Sequence, residues 1–338
     1  MGTIEIDEIT SRRDGERFAD AVTVIQAVTA ESDPDDPVPG ADELALRLFQ
    51  VAAHRRTRTF VATLDGAPAG IAGIELPQAS NRDQVFGYVW VAPDHRRRGV
   101  ARALAVHLAD VVARDEPART ILRAWIFAQP AAMTWCEGLG LTHRQRGRRS
   151  RLLVADVDPV QQAAWADDAS ARARGYRVIS WRGATPVEHL DQLCVALEAM
   201  ADAPDDGIEF EAPTITHDLI RDAERAEHGR IDHLVSLALA PDGSAAGMTE
   251  LELVTHRPTL AEQGDTAVVP THRGLGLGRW LKAVNLARAL DAQPELAVID
   301  THNAESNPWM LDINVDMGFR PHREVHCYQG PLPTFDAS

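Results

Sequence analysis

Lysine is almost absent from this chain: Lys282 is the single one among 34 basic side chains. Positive charge as a whole is short, and the formal net charge is −16. That deficit argues against nonspecific affinity for nucleic acid or anionic lipid, because neutralising phosphates needs the opposite sign. Cysteine is also scarce. Cys136, Cys194 and Cys327 are far apart and odd in number, which fits a reducing cytoplasm better than a disulfide framework. No apolar run approaches the ~18 residues of a membrane span. The stretch Met1 to Arg13 is acidic and mixed rather than signal-like. Metal spacings are missing as well: there is no C-x-x-C pair and no H-E-x-x-H run, and the 13 histidines are dispersed. No G-x-S-x-G nucleophile elbow occurs. The expectation is a cytoplasmic protein without metal, nucleic acid or membrane partner. A hydrophobic content of 45% with 25% charged residues is that of an ordinary globular core.

What the chain does have is one cassette written twice, 177 residues apart. The first copy runs Pro93-Asp94-His95-Arg96-Arg97-Arg98-Gly99-Val100-Ala101-Arg102, and the second Pro270-Thr271-His272-Arg273-Gly274-Leu275-Gly276-Leu277-Gly278-Arg279. Each follows a β-branched run (Val85 to Val91; Thr266 to Val269) and precedes an amphipathic helix pattern. A small-residue loop between strand and helix aims several backbone N–H groups at a phosphate. The repetition extends further: Asp65-Gly66, Ala69-Gly70 and Glu75-Leu76 recur as Asp242-Gly243, Ala246-Gly247 and Glu252-Leu253. Later the offset drifts by one, so that Pro130 matches Pro308 and Gly140-Leu141 matches Gly318-Phe319. A repeat of this length means two domains of one design, and 338 residues suffice to give each its own core.

Periodicity places the boundaries. Domain one, residues 1–157, opens with a strand from Thr3 to Ile9 and a helix through Phe18, Val22, Ile25 and Val28. Domain two, residues 176–338, opens with a strand from Tyr176 to Trp181 and a helix through Leu190, Leu193, Leu197 and Met200. Between them, residues 158–175 read as a linking helix with Asp158 as cap and Pro159 in the first turn. Acidic, proline-containing loops follow the first helix of each half, Glu31 to Asp42 and Asp202 to Pro213. The predicted class is mixed α/β (α+β), each domain a twisted, mostly antiparallel sheet flanked by helices.

Within the second loop, Gly274, Gly276 and Gly278 clear side chains from a backbone that must approach its ligand. Arg273 and Arg279 supply charge suited to a diphosphate. A dinucleotide fingerprint requires glycine where Arg279 stands, and neither copy carries the Lys-Ser/Thr of a Walker loop.

The pattern Arg-x-x-Gly-x-Gly/Ala after a strand, with proline three before the arginine and a later Gly-Leu or Gly-Phe pair, resembles the GNAT superfamily of acyl-CoA N-acyltransferases. Both halves carry it, so the chain looks like a tandem GNAT protein, an arrangement similar to that of mycothiol synthase. The resemblance implies that Arg273, Gly274, Leu275, Gly276, Leu277, Gly278 and Arg279 bind the pyrophosphate of acetyl-CoA, as would Arg96, Arg97, Arg98, Gly99, Val100, Ala101 and Arg102 in the first half. It implies that Thr266, Ala267 and Val268, and likewise Val89, Trp90 and Val91, hold the pantetheine by backbone bonds. It also implies that the Val268 N–H polarises the thioester carbonyl. Asn303 and Asn307 are either pantetheine ligands or, for Asn307 before Pro308, a helix cap.

The resemblance further implies a carboxylate base eleven residues before the loop arginine. Glu262 stands there, Val85 in the first half, with Glu250 and Glu252 in reserve. The tyrosine acid that the family places four residues before the late glycine is replaced by Asn314 in the second half and Cys136 in the first. Asn314 can donate a hydrogen bond but no net proton, so the thiolate leaves unassisted or Tyr328 supplies the proton. Two functions remain open: an N-acetyltransferase acting on the primary amine of a small metabolite, with the second half catalytic, or a non-catalytic acyl-CoA-binding protein. A weaker third is acetylation of protein lysines.

Overall fold

The structure, a computed structural model, describes residues 2–168, 171 and 174–335. Two compact units divide it. One contains Met1–Arg144, Ile208–Glu211 and His326–Ser338; the other contains Gln145–Gly207 and Ala212–Val325.

In the first unit, β1 (Ile4–Ile9), β2 (Arg55–Leu64), β3 (Ala67–Pro77), β4 (Gln84–Val91) and β5 (Ile121–Phe127) form a sheet in that order. The first four run antiparallel. β5 joins β4 in parallel after a helical crossover, as the geometry of a parallel pair requires. Asp65 and Gly66 turn β2 into β3 with positive φ, 54° and 79°, the two-residue conformation that favours Asp-Gly in a hairpin. On one face α3 (Val100–Asp115) presents Val100, Leu104, Leu108, Val111 and Val112 to Phe60, Ala72, Ile74 and Leu76. On the other, α1 (Glu16–Ser32) and α2 (Ala41–Leu48) pack Phe18, Val24, Ile25 and Leu44 on Val61 and Ile71. Alternate strand residues thus serve opposite cores, as a period of two dictates. α4 (Pro130–Gly138) follows β5.

The second unit repeats the plan. β7 (Arg177–Arg182), β8 (Ile231–Leu239), β9 (Ala245–Val254) and β10 (Leu260–Val268) are antiparallel, and β11 (Val298–Ala304) pairs with β10 in parallel. α8 (Leu277–Ala292) matches α3 at both ends with the offset of 177, and β11 matches β5 likewise. α9 (Pro308–Asp316) matches α4 at the later offset of 178. α8 covers Leu234, Leu251, Leu253, Ala261 and Ile299. α6 (Leu190–Glu198) and α7 (His217–Glu227) cover Trp181, Val235, Leu237 and Met248 from the opposite side.

The last strand of each repeat does not stay with its half. β6 (Thr142–Leu153) pairs with β11 from Gly147 to Leu153, within the second unit. β12 (Arg320–Pro331) contributes its residues from His326 onward to the first. The units are therefore cut differently from the sequence halves at 157 and 176. In the stretch read as a linking helix, α5 (Pro159–Ala166) is helical, capped by Asp158, whose carboxylate accepts from the N–H groups of Val160 and Gln161. It is a packed element of the second unit rather than a free linker: Gln162 Nε2 donates to the Ala283 carbonyl and Trp280 Nε1 donates to the Ala166 carbonyl. Residues 169, 170, 172 and 173 of that stretch lie outside the described residues.

Candidate active site

The site starts where two parallel strands separate. β10 pairs with β11 only from Leu260–Gln263 against Val298–Thr301. Beyond it, among the described residues, β10 pairs with β9 alone, with Thr266, Ala267 and Val268 opposite Thr249, Met248 and Gly247. The register shifts between Gln263 and Thr266, a β-bulge that bends the strand away. Gln263 pins it: its Nε2 donates to Thr249 Oγ1 at 3.1 Å, and Thr249 and Thr266 share a hydroxyl bond of 2.7 Å.

At the end of β10, the Val269 N–H bonds the Ala246 carbonyl. Successive N–H groups of a strand point to opposite edges, so the Val268 N–H faces the open side. Its carbonyl faces the same way, and Arg273 Nε donates to it at 3.0 Å. In the first unit β4 and β5 pair only over Gln84–Phe86, the Ala92 N–H bonds the Ala69 carbonyl, and Arg96 Nε reaches the Val91 carbonyl at 3.2 Å. Both units therefore own a wedge between strands, with an edge that no strand pairs among the described residues.

Past each wedge the chain makes a short turn (Pro93–His95; Pro270–His272) and enters α3 or α8 through a left-handed residue, Gly99 at φ 90° or Gly276 at φ 77°. Neither helix has a side-chain cap. Its first N–H groups are thus left for a ligand or water, and the helix dipole favours an anion there. Gly274 also has positive φ, and Arg97 takes the same conformation at the equivalent place. The two loop arginines serve chiefly as straps. Arg273 also pairs with Asp202 at 2.7 Å, and Arg96 with Glu31; both acids come from the end of the first helical segment of their half. Arg279 lies over the Trp165 ring at 5.0 Å and Arg102 over Phe335 at 5.8 Å. Arg98 approaches Asp65 and His95. In the second unit the Asp168 carboxylate sits 3.7 Å from where a Gly276 side chain would begin; in the first, Ile4 is the neighbour.

On the sheet face away from α8 lies a row of charge. Register puts His233, Glu252, Glu262, Asp300 and Arg151 side by side across β8, β9, β10, β11 and β6. Asp300 is fixed by Arg149 at 2.5 Å and Arg151 at 2.8 Å; burial would raise its pKa, but the two guanidiniums hold it below the carboxylate range. His233 contacts Glu250 through Nδ1 and Glu227 through Nε2 at 3.0 Å. Burial opposes charging the imidazole, yet the two carboxylates push it up to about 10. Glu252 is pushed up to about 8, by burial first and then by Glu250, Glu227 and Glu262. Its Oε1 lies 3.0 Å from a Cβ built on Gly264, at the bulge that opens the wedge. Glu262 is exposed. Of the three glutamates, Glu252 has both the position beside the wedge and the perturbed affinity for a proton.

On the α8 side of the wedge, Lys282 Nζ donates to Asn314 Oδ1 at 2.7 Å, and Asn314 Nδ2 donates to Asn303 Oδ1 at 2.7 Å. Asn303 is on β11 beyond its last residue paired with β10, Thr301. Asn307 caps α9, its side chain accepting from the Met310 N–H at 3.3 Å; that occupies it structurally. Tyr328 does not join this group. It belongs to the first unit, packs with Cys136 and Leu141, and donates to Glu137 at 3.4 Å. Its neighbours within that unit are those of the first repeat's late glycine rather than of the second's.

Residues 25–133 match the acetyltransferase (GNAT) family. No curated protein matches the sequence significantly. Among solved structures, a tandem GNAT protein from the clavulanic acid biosynthesis pathway is similar over 99% of this chain and 100% of its own, with 24% identity and a TM-score of 0.82. A GCN5-related N-acetyltransferase from Sphaerobacter thermophilus covers 97% of this chain and 96% of its own, at 13% identity and TM-score 0.70. A glucosamine N-acetyltransferase region of a fungal multi-domain GH3 β-N-acetylglucosaminidase is similar at 13% identity and TM-score 0.64; it covers 98% of this chain and 38% of its own.

This chain has the tandem GNAT fold.

The two GNAT units differ in their interiors. Lys282, Asn303 and Asn314 stand where the first half has Ala105, Ile126 and Cys136. The row equivalent to His233, Glu252, Glu262 and Asp300 reads Thr57, Glu75, Phe86 and Arg123 across β2, β3, β4 and β5. Phe86 stands at the place of Glu262, opposite Glu75 and Arg123 as Glu262 is opposite Glu252 and Asp300, while Val85, the counterpart by sequence offset, belongs to the α3 core. Arg123, in place of Asp300, stacks between Phe86 at 3.8 Å and Phe210 at 5.4 Å. Phe210 belongs to the inserted segment Ile208–Glu211, which is tied down where the Glu209 carbonyl accepts from Gln84 Nε2 at 2.7 Å and the Glu211 carbonyl accepts from Asn81 Nδ2 at 2.9 Å. Asp300, His233 and Lys282 escaped the sequence reading as site residues. For Lys282 a signal existed in its being the one lysine, set against Ala105 in the repeat.

Proposed function

We propose that this tandem GNAT protein is an acetyl-CoA-dependent N-acetyltransferase that acylates the primary amine of a small metabolite, with the second unit catalytic. The observation that carries the reading is the open edge at Val268, set between the uncapped N-terminus of α8 and the carboxylates of β9 and β10. That arrangement suits a thioester whose diphosphate and carbonyl need N–H donors and whose acceptor arrives as an ammonium ion.

In this reading the loop from Arg273 to Arg279 cradles the diphosphate by its N–H groups, with Arg273 stiffening the turn from below. The free edge from Thr266 to Val268 offers backbone bonds to the pantetheine amides. The Val268 N–H polarises the thioester carbonyl and stabilises the oxyanion that forms on attack. Glu252 takes the proton from the ammonium, which must lose it before its lone pair can attack. Glu262 beside it keeps the approach negative. Attack forms the N–C bond, the C–S bond breaks, the nitrogen gives up its second proton to solvent, and the thiolate leaves with the electron pair next to Asn314.

The first unit shares the loop, the helix terminus and the open edge at Val91. Its equivalent face keeps Glu75 at the place of Glu252, but it has Phe86 in place of Glu262 and is filled by Phe210, which supports CoA binding without turnover; bound ligand would then stabilise the fold by linkage. The deciding experiment is an amine panel assayed for thiol release from acetyl-CoA, with calorimetry for the CoA itself. Saturable CoA binding with no thiol release from any amine would favour a non-catalytic binding protein; no CoA binding would refute both.

A further inference from the structure

Lys282 is 1% exposed, and so is Asn314. Among the described residues no carboxylate lies within ion-pair distance of its Nζ; its one hydrogen bond goes to a neutral amide, and the Phe319 ring centroid lies 5.7 Å away. A lone buried ammonium without a counter-ion is a destabilising arrangement. Nothing in the packing requires it, since Ala105 fills the equivalent position of the first unit. An ammonium donates and never accepts, so it forces Asn314 to present Oδ1 to it and Nδ2 to the other side. One Nδ2 hydrogen bonds Asn303 on the separated stretch of β11, and the second has no partner among the described residues. Gly278 shows how close these parts are: a Cβ built there would meet Ile313 of α9 at 3.5 Å and Val268 of β10 at 3.7 Å.

We propose that Lys282, acting through Asn314, is a positioning residue for the leaving group: it fixes the amide N–H toward the sulfur and supplies the counter-charge for the thiolate as the C–S bond breaks. The inference rests on the acyl-transfer reading above. No proton crosses Asn314. The thiolate keeps the electron pair, the ammonium keeps its proton, and the sulfur is protonated by solvent after departure. Burial holds the Lys282 pKa down to about 7; an anion arriving beside it draws the proton back on, which is the response wanted from a charge needed only while the thiolate exists.

The test is the thiol pKa of bound CoA, followed by the far-ultraviolet absorbance of the thiolate in the full-length protein. Free thiols titrate near ~8.5. The expected result is a titration at least about one unit lower in the wild-type complex, a tenfold change in the equilibrium. Lys282→Met should return it towards the free value with CoA affinity at low pH little changed. Asn314→Asp, isosteric with Asn314 and able to pair with the ammonium, should do the same by cancelling the charge, and it guards against misfolding of the first variant. Any CoA held by the first unit contributes equally to every protein compared. A purely structural lysine would change stability and affinity but leave the thiol titration where it was; identical thiol titrations in wild type and both variants overturn the proposal. If the wild-type protein fails to bind CoA at all, it is the acyl-transfer reading that fails, and this inference falls with it.

Discussion

Lys282→Met should stabilise the ligand-free protein near pH 6 and cease to do so at high pH. In the folded state burial depresses this lysine from 10.5 to about 7, and in the unfolded chain it titrates normally. Between those values the unfolded state binds more protons, so wild-type stability rises with pH across that window and is lowest below it. At about 1.4 kcal/mol per unit, the folded state carries about 5 kcal/mol of strain below pH 7 that is gone above the unfolded pKa. Methionine is close in length, fits beside the Phe319 ring and removes the charge. It also leaves Asn314 Oδ1 without its donor, a loss of about 1–3 kcal/mol for a buried acceptor. The net expectation is a gain of about 2–4 kcal/mol at pH 6 and a small loss above pH 10.5.

Urea unfolding of both proteins at a series of pH values reads this as a difference that changes sign. Comparing the two proteins cancels the opposite slope from His233, whose raised pKa makes stability fall between about 6.5 and 10 in both. A difference that does not vary with pH would refute the premise that Lys282 is buried without a counter-charge. If the sign change is seen while turnover falls, the lysine is retained against stability, the pattern expected at a functional site.

Glu252→Gln should lower turnover by roughly 10²–10⁴-fold and abolish the ascending limb of the rate profile, which in the wild type should have its midpoint near 8 because the base must be ionised. Glu262→Gln should be milder and act mainly on the acceptor KM; the reverse order in steady-state assays would return the base role to Glu262. Gly276→Leu should abolish acetyl-CoA binding in the second unit, because a side chain is strained at φ 77° and intrudes on the diphosphate; calorimetry showing an unchanged number of sites would count against the loop. Asp168→Asn should tighten acetyl-CoA binding several-fold at low salt and less at high salt, by removing a like charge from beside Gly276, and an unchanged affinity at low salt would show that Asp168 does not face the diphosphate.

The repeat was legible because turns and loop geometries are written locally. Asp65-Gly66, Gly99 and Gly276 each adopt the positive φ that their residue types announce, and two copies at one offset fix the element order. What could not be read was where the ends of β6 and β12 go. A strand adds to any edge with complementary register, and sequence order says nothing about which edge is available; hence Tyr328, placed by order beside Asn314, belongs instead to the unit of Cys136. Charge was hidden for a related reason. Glu252 and Glu262 lie ten residues apart in the chain but opposite one another in the sheet, and the raised affinity of Glu252 for its proton arises from burial first, then from Glu250 on its own strand and from Glu227 and Glu262 on two other elements. Lys282 shows what comparison of the two halves can still recover. A helix position that is alanine in one copy and the protein's one lysine in the other is a polar substitution in a core, and its asparagine partners replace Ile126 and Cys136 in the same step. Three coupled changes from apolar to polar beside one wedge are hard to explain as packing, because each alone would leave a buried group unpaired; together they form one hydrogen-bonded chain from Lys282 through Asn314 to Asn303.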